Sequence, residues 1–153
     1  MDYKNFLFYL ACLVILSARM VFAVDVSTDT TISTDTTATQ TISEDNVTLT
    51  NNANLSGSGG IIIQLGGTTG TTIINNAGAS ISSNTQVIRC TANCTNPTII
   101  NSGTINNTTT SGGLIRFDKA TGAIVINNPG GVIKGVGNED NGHHAVDLGA
   151  SGT

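Results

Sequence analysis

Apolar residues in this chain come in short bursts broken by single polar ones. Ile61-Ile62-Ile63-Gln64-Leu65, Val87-Ile88-Arg89-Cys90, Leu114-Ile115-Arg116-Phe117 and Ala145-Val146-Asp147-Leu148 each end apolar-polar-apolar. That period of two, carried mainly by β-branched residues, predicts strands with one buried face. A second pattern lies between the bursts. Ile73-Ile74-Asn75-Asn76-Ala77-Gly78-Ala79-Ser80-Ile81 is preceded by Leu49-Thr50-Asn51-Asn52-Ala53-Asn54-Leu55 and followed by Ile99-Ile100-Asn101-Ser102-Gly103-Thr104-Ile105 and Val125-Ile126-Asn127-Asn128-Pro129-Gly130-Gly131-Val132-Ile133. Their first asparagines, at positions 51, 75, 101 and 127, are 24, 26 and 26 residues apart. A near-constant period in this range marks a solenoid.

Beyond the N-terminus no run of ten or more residues sets apolar positions at i, i+3, i+4 and i+7, which excludes helical repeats. Leucine is too scarce for leucine-rich repeats. The pattern therefore predicts an all-β chain, a right-handed parallel β-helix of about four coils, each roughly 4.8 Å above the last. In that register Leu55, Ile81, Ile105 and Ile133 stack inside, and so do Leu65, Cys90, Phe117 and Leu148. Gln64, Arg89, Arg116 and Asp147 form an outward column. Asn51, Asn75, Asn101 and Asn127 stack as a ladder at one turn, where an amide side chain bonds the next coil and tolerates the left-handed backbone of a sharp corner.

The first residues follow a different rule. Met1 to Ala23 has a polar start with Lys4, an apolar run from Phe6 to Ala18 and a small-residue site at Val21-Phe22-Ala23, which reads as a secretory signal peptide cleaved between Ala23 and Val24. Its apolar run is too short to span a bilayer. Residues 24–46 are Thr-rich, with Ser27-Thr28-Asp29-Thr30-Thr31 repeated as Ser33-Thr34-Asp35-Thr36-Thr37. Threonine favours strands, and Val26, Ile32, Ala38 and Ile42 supply evenly spaced apolar positions, so the segment is expected to form a strand or two covering the N-terminal end of the solenoid. The alternative is a disordered leader. Residues 47–153 then hold the coils, with Val47-Thr48-Leu49 as the first regular strand and an incomplete C-terminal end.

Removing the leader changes the composition. Five of the six Phe and Tyr residues go with it, and Phe117 is the only aromatic left. Arg89, Arg116, Lys119 and Lys134 then face nine carboxylates. With no basic patch and nothing to stack bases on, nucleic acid is excluded as a partner.

Cys90 and Cys94 are the cysteines that remain, and in an oxidising compartment they are expected to close a small disulfide loop. Two reduced thiols, one buried and one in a loop, are the alternative. Two cysteines without further ligands do not make a zinc site. No metal or cofactor is expected elsewhere either. Glu139-Asp140-Asn141-Gly142-His143-His144, even with Asp147, reads as a loop, since neither a zinc nor a calcium ligand pattern is complete. Gly135-Val136-Gly137 lacks the rest of a nucleotide loop. Ser56-Gly57-Ser58-Gly59-Gly60 has Ser56 in place of the first glycine of a nucleophile elbow. Asp118 stands beside Lys119 without the clustered carboxylates a lyase groove needs. Catalytic residues: none.

A signal peptide, a Thr-rich lead such as Thr31-Ile32-Ser33-Thr34-Asp35-Thr36-Thr37, a turn into Val47-Thr48-Leu49-Thr50 and coils of Ile-Asn-Asn-x-Gly-x-Ile together resemble the start of an autotransporter passenger domain, a type V secretion module with a pectin-lyase-like β-helix. The resemblance covers residues 24–153. It implies a non-enzymatic adhesin-type module, exported to the cell surface or outer membrane and engaged in adhesion, aggregation or host contact, with a host glycan or protein as partner. It also implies a C-terminal β-barrel translocator. The chain stops in mid-repeat without one, so it reads as a fragment that would halt in the periplasm if expressed as it stands. A carbohydrate-active β-helix enzyme and a remnant without function are the other readings.

Overall fold

The computed structural model describes residues 23–108, 113–136 and 144–148. Every regular element among them is a β-strand, and all strand pairs are parallel. The chain winds as a β-solenoid of about four turns.

Each turn passes through three sheets. The first sheet stacks β1 (Val24–Val26), β3 (Gln40–Ile42), β6 (Ile63–Leu65), β9 (Ile88–Cys90), β13 (Ile115–Arg116) and β17 (Val146–Asp147). The second stacks β2 (Thr30–Ile32), β4 (Thr48–Asn51), β7 (Thr72–Asn75), β11 (Thr98–Asn101) and β15 (Ile124–Asn127). The third stacks β5 (Asn54–Gly57), β8 (Ser80–Ser83), β12 (Thr104–Asn107) and β16 (Val132–Lys134). A short extra ladder joins β10 (Cys94–Thr95) to β14 (Ala120–Thr121) at the corner between the first and second sheets.

Alternation sets which side chains fill the interior. In β4, β7 and β11 the second and fourth residues are buried and the first and third face out. Leu49, Ile73 and Ile99 thus stack directly, as do Leu55, Ile81 and Ile105 on the third sheet and Ile63, Ile88 and Ile115 on the first. All nine are fully buried apart from a trace at Ile73. Each such side chain contributes about 1.5–3 kcal/mol relative to an exposed one, and the stacking keeps every methyl group in contact with its copy above and below.

The Thr-rich segment is part of the solenoid. Val24 opens β1, and Gln40 pairs with it only 16 residues later, whereas Ile115 and Val146 on the same sheet are 31 apart. The first coil is therefore the narrowest. It has room for Val26 and Ile32 but little else, and Thr36 completes its third side by bridging to Leu55. Strands begin with β1, well ahead of Val47, which is buried but belongs to no strand. Small size lets this coil close the end of the core with hydroxyl-bearing strands.

Leu148 departs from the expected inward column. Leu65 and Cys90 pair and Phe117 is buried, but Leu148 is 41% exposed. It follows β17, whose outer edge carries no further strand among the described residues. Residues 1–22 of the proposed leader and 139–143 of the polar cluster lie outside the described residues.

Candidate functional site

The four asparagines picked out by the repeat occupy one column. Asn51 Nδ2 donates to Asn75 Oδ1 at 2.9 Å, Asn75 Nδ2 to Asn101 Oδ1 at 2.8 Å and Asn101 Nδ2 to Asn127 Oδ1 at 2.8 Å. Asn127 Nδ2 turns instead onto Gly131 O. Asn51, Asn75 and Asn101 are completely buried. Each also donates to a carbonyl in the following coil, at Ser80, Thr104 and Val132 respectively. The amides therefore form a one-directional polar spine along an otherwise apolar core, and each bond polarises the next.

These asparagines end strands and do not adopt the left-handed backbone expected of them. That conformation belongs to another column, Asn46 (φ 57°), Gly70 (φ 68°), Asn96 (φ 50°) and Gly122 (φ 68°), at the corner entering the second sheet. Asn46 and Asn96 extend their side-chain oxygens over Gly70 and Gly122, into space a Cβ would occupy. Asparagine and glycine are the residues that reach this region at least cost, so the alternation satisfies both the corner and the close approach. Each lies five positions before a ladder asparagine, a spacing the sequence already contained.

Cys90 and Cys94 are joined as a disulfide, with Cα atoms 6.2 Å apart and both residues buried. The loop it closes packs against Gly67, where an added Cβ would come within 3.2 Å of Ala92. Of the proposed cleavage pair, Ala23 is exposed and Val24 begins β1.

Four carboxylates near the narrow first coil have clear structural tasks. Asp29, Asp35 and Asp45 accept the backbone N–H of Thr48, Asn54 and Thr69, each in the next coil, at 2.7, 2.9 and 2.7 Å. Asp25 accepts from Ser43 Oγ at 2.6 Å. The duplicated Ser-Thr-Asp-Thr-Thr motif thus uses its two aspartates alike, each reaching the residue 19 positions ahead. The Asn54 backbone N–H, then the Asn54 side-chain amide, hold the Asp35 carboxyl below the usual carboxylate range.

Two shallow cavities open at this end, about 360 Å³ lined by Thr37, Thr39 and Gly57 to Ile61, and about 300 Å³ lined by Asp35, Thr36, Thr37, Asn54 and Ser56. Their lining is hydroxyl, amide and backbone apart from the Ile61 side chain and the Asp35 carboxylate. Both oxygens of Asp35 accept from Asn54, one from its backbone N–H and the other from its side-chain amide. Among the described residues no three His, Cys, Asp or Glu side chains come together as a metal site.

What remains are the three outward faces, and they differ sharply. The first sheet presents Asp25, Thr41, Gln64, Arg89, Arg116 and Asp147, with Arg89 above Gln64 and Arg116 above Arg89. Arg116 pairs with Asp118 at 3.1 Å. The third presents Asn54 and Ser56, Ser80 and Ser82, Thr104 and Asn106, then Val132 and Lys134. The second presents only threonine and isoleucine.

Compared with family models, curated proteins and solved structures, the chain matches none.

Proposed function

We propose that this chain is a non-enzymatic contact module of the autotransporter passenger type, exported and presented at the cell surface or outer membrane, where it serves adhesion, aggregation or host contact. The observation that carries this reading is a three-sided solenoid whose outward faces differ in chemistry and whose coils are joined by a buried amide spine. Such a body displays side chains at fixed spacing and needs no pocket. The cavities are shallow and their one carboxylate, Asp35, is held by Asn54, which favours contact over catalysis as well. A host-surface glycan or protein is the partner this reading implies, and a β-barrel translocator is the element that would place the module outside the cell.

The test is binding of the whole exported chain, coupled to beads, to host cells and to immobilised glycans. The proposal expects saturable binding that survives washing and turns over no substrate. Release of oligosaccharide products from any of those glycans would contradict it.

A further inference from the structure

We propose that the outward face of the second sheet is an ice-contact surface, binding water in its crystalline form. This goes beyond the contact reading and stands on a different observation, the uncommitted hydroxyls of a single face.

β-Branched side chains stand on that face in two parallel ranks. Thr48, Thr72 and Thr98 form one, and Thr31, Thr50, Ile74 and Ile100 form the other, each directly above the last. Ile124 and Ile126 continue both ranks on the edge strand, but the array is made by β4, β7 and β11 without them. In those three strands the outward residues are half-buried between their neighbours. Branching at Cβ also restricts χ1, so the ranks are ordered before anything binds. The buried amides of Asn51, Asn75 and Asn101 end the same strands and fix the rungs from behind.

The hydroxyls set this face apart. Elsewhere in the fold threonine hydroxyls are engaged: Thr39 donates to Ile61 O, Thr91 to Leu65 O and Thr71 to Thr68 Oγ1. Among the described residues the hydroxyls of Thr48, Thr50, Thr72 and Thr98 make no hydrogen bond to the protein. The third sheet differs, since Ser80 Oγ donates to Asn54 Oδ1 at 2.7 Å, Ser82 Oγ to Leu55 O at 3.5 Å, and the sheet ends at Lys134. The first sheet carries Asp25, Arg89, Arg116 and Asp147 in its outward column.

Spacing selects the ligand. Rungs lie about 4.8 Å apart and successive outward residues of a strand about 6.8 Å apart, and the two oxygen repeats of the prism face of hexagonal ice fall within about ten per cent of these values. Threonine hydroxyls can then take lattice positions, while methyl groups fill the hollows between them. Charge complementarity agrees with the spacing. Ice is an uncharged lattice that rejects ions, and neither rank holds a charge. Asp29, at the foot of the first rank, turns its carboxylate onto the Thr48 N–H at 2.7 Å.

The experiment grows ice slowly from a dilute solution of the fluorescently labelled whole chain and compares its concentration in the ice with that in the liquid. The chain is expected to enter the ice at a level comparable with the liquid, while serum albumin treated alike is rejected. Thr72→Lys should lower incorporation about ten-fold, because a charge has no place in the lattice. Ser82→Lys, which puts the same charge on the third sheet, should leave it unchanged. Thr98→Lys replaces Thr72→Lys if the latter loses its β-sheet circular dichroism.

Rejection of the unaltered chain by the ice, undiminished incorporation of the second-sheet variant, or an equal loss in Ser82→Lys would each overturn the proposal. Binding to host cells is a separate readout, so any of these results leaves the contact reading standing.

Discussion

Asn75 Nδ2 donates to Asn101 Oδ1 at 2.8 Å, with both residues fully buried. Two amides in an apolar core are costly unless every hydrogen-bonding atom is used, and here the spacing of the coils provides the partner. Replacing Asn75 with Ala leaves Asn101 Oδ1 without this donor. The expected loss is about 1–3 kcal/mol of folding stability, read from chemical denaturation. Asn76→Ala, whose bond to Asn52 is exposed, should change stability by no more than about 0.5 kcal/mol.

Gly103 and Gly59 should respond in opposite ways to the same substitution. A Cβ at Gly103 would fall on the carbonyl oxygens of Ala79 and Asn76, both backbone, because the longer turn of the preceding coil folds over it. Gly103→Ala is expected to cost about 1–3 kcal/mol or to prevent folding. Nothing lies within 4 Å of a Cβ at Gly59, so Gly59→Ala should be neutral or slightly stabilising. Thermal unfolding of the two variants side by side checks the contrast.

Acid sensitivity should depend in part on Asp35. Its carboxyl is held below the usual range by Asn54, so it binds a proton more weakly in the folded chain than in the unfolded one. Such a group stabilises the fold above the ordinary carboxylate pKa, and the contribution is lost as pH falls through the lower folded value. Asp35→Asn should lower stability at neutral pH and flatten its decline with acid. Denaturation midpoints across an acid pH series measure both effects, and an unchanged acid limb would count against the role given to Asp35.

Reduction should weaken the chain without dismantling it. Closing a loop as short as Cys90 to Cys94 is worth about 2 kcal/mol through the unfolded state. Denaturation with and without reductant should differ by about that amount, and Cys90→Ala with Cys94→Ala should match the reduced chain.

Much of the architecture was legible because stacking turns sequence spacing into geometry. The recurring Asn-Asn and Ile-Ile pairs gave the coil period, and single polar residues such as Gln64, Arg89 and Arg116 gave the outward column, since alternation fixes the face. The left-handed corner was misplaced, because asparagine serves both as a buried amide ligand and as a positive-φ residue, and composition does not separate the two. The alternation of Asn46, Gly70, Asn96 and Gly122 carried that signal. Leu148 was assigned to the interior on pattern alone, but burial also needs a coil above it. The uncharged second face escaped notice because Thr72 and Ile74 belong to the same repeat unit that supplies the core, and only the register separates outward from inward members.

The most direct test of the buried amide spine is hydrogen exchange of asparagine side-chain amides, followed by NMR on the folded chain. The structure predicts slow exchange at Asn51, Asn75 and Asn101, and fast exchange at Asn52, Asn54 and Asn76. Uniformly fast exchange across all six would contradict the spine and the coil register built on it.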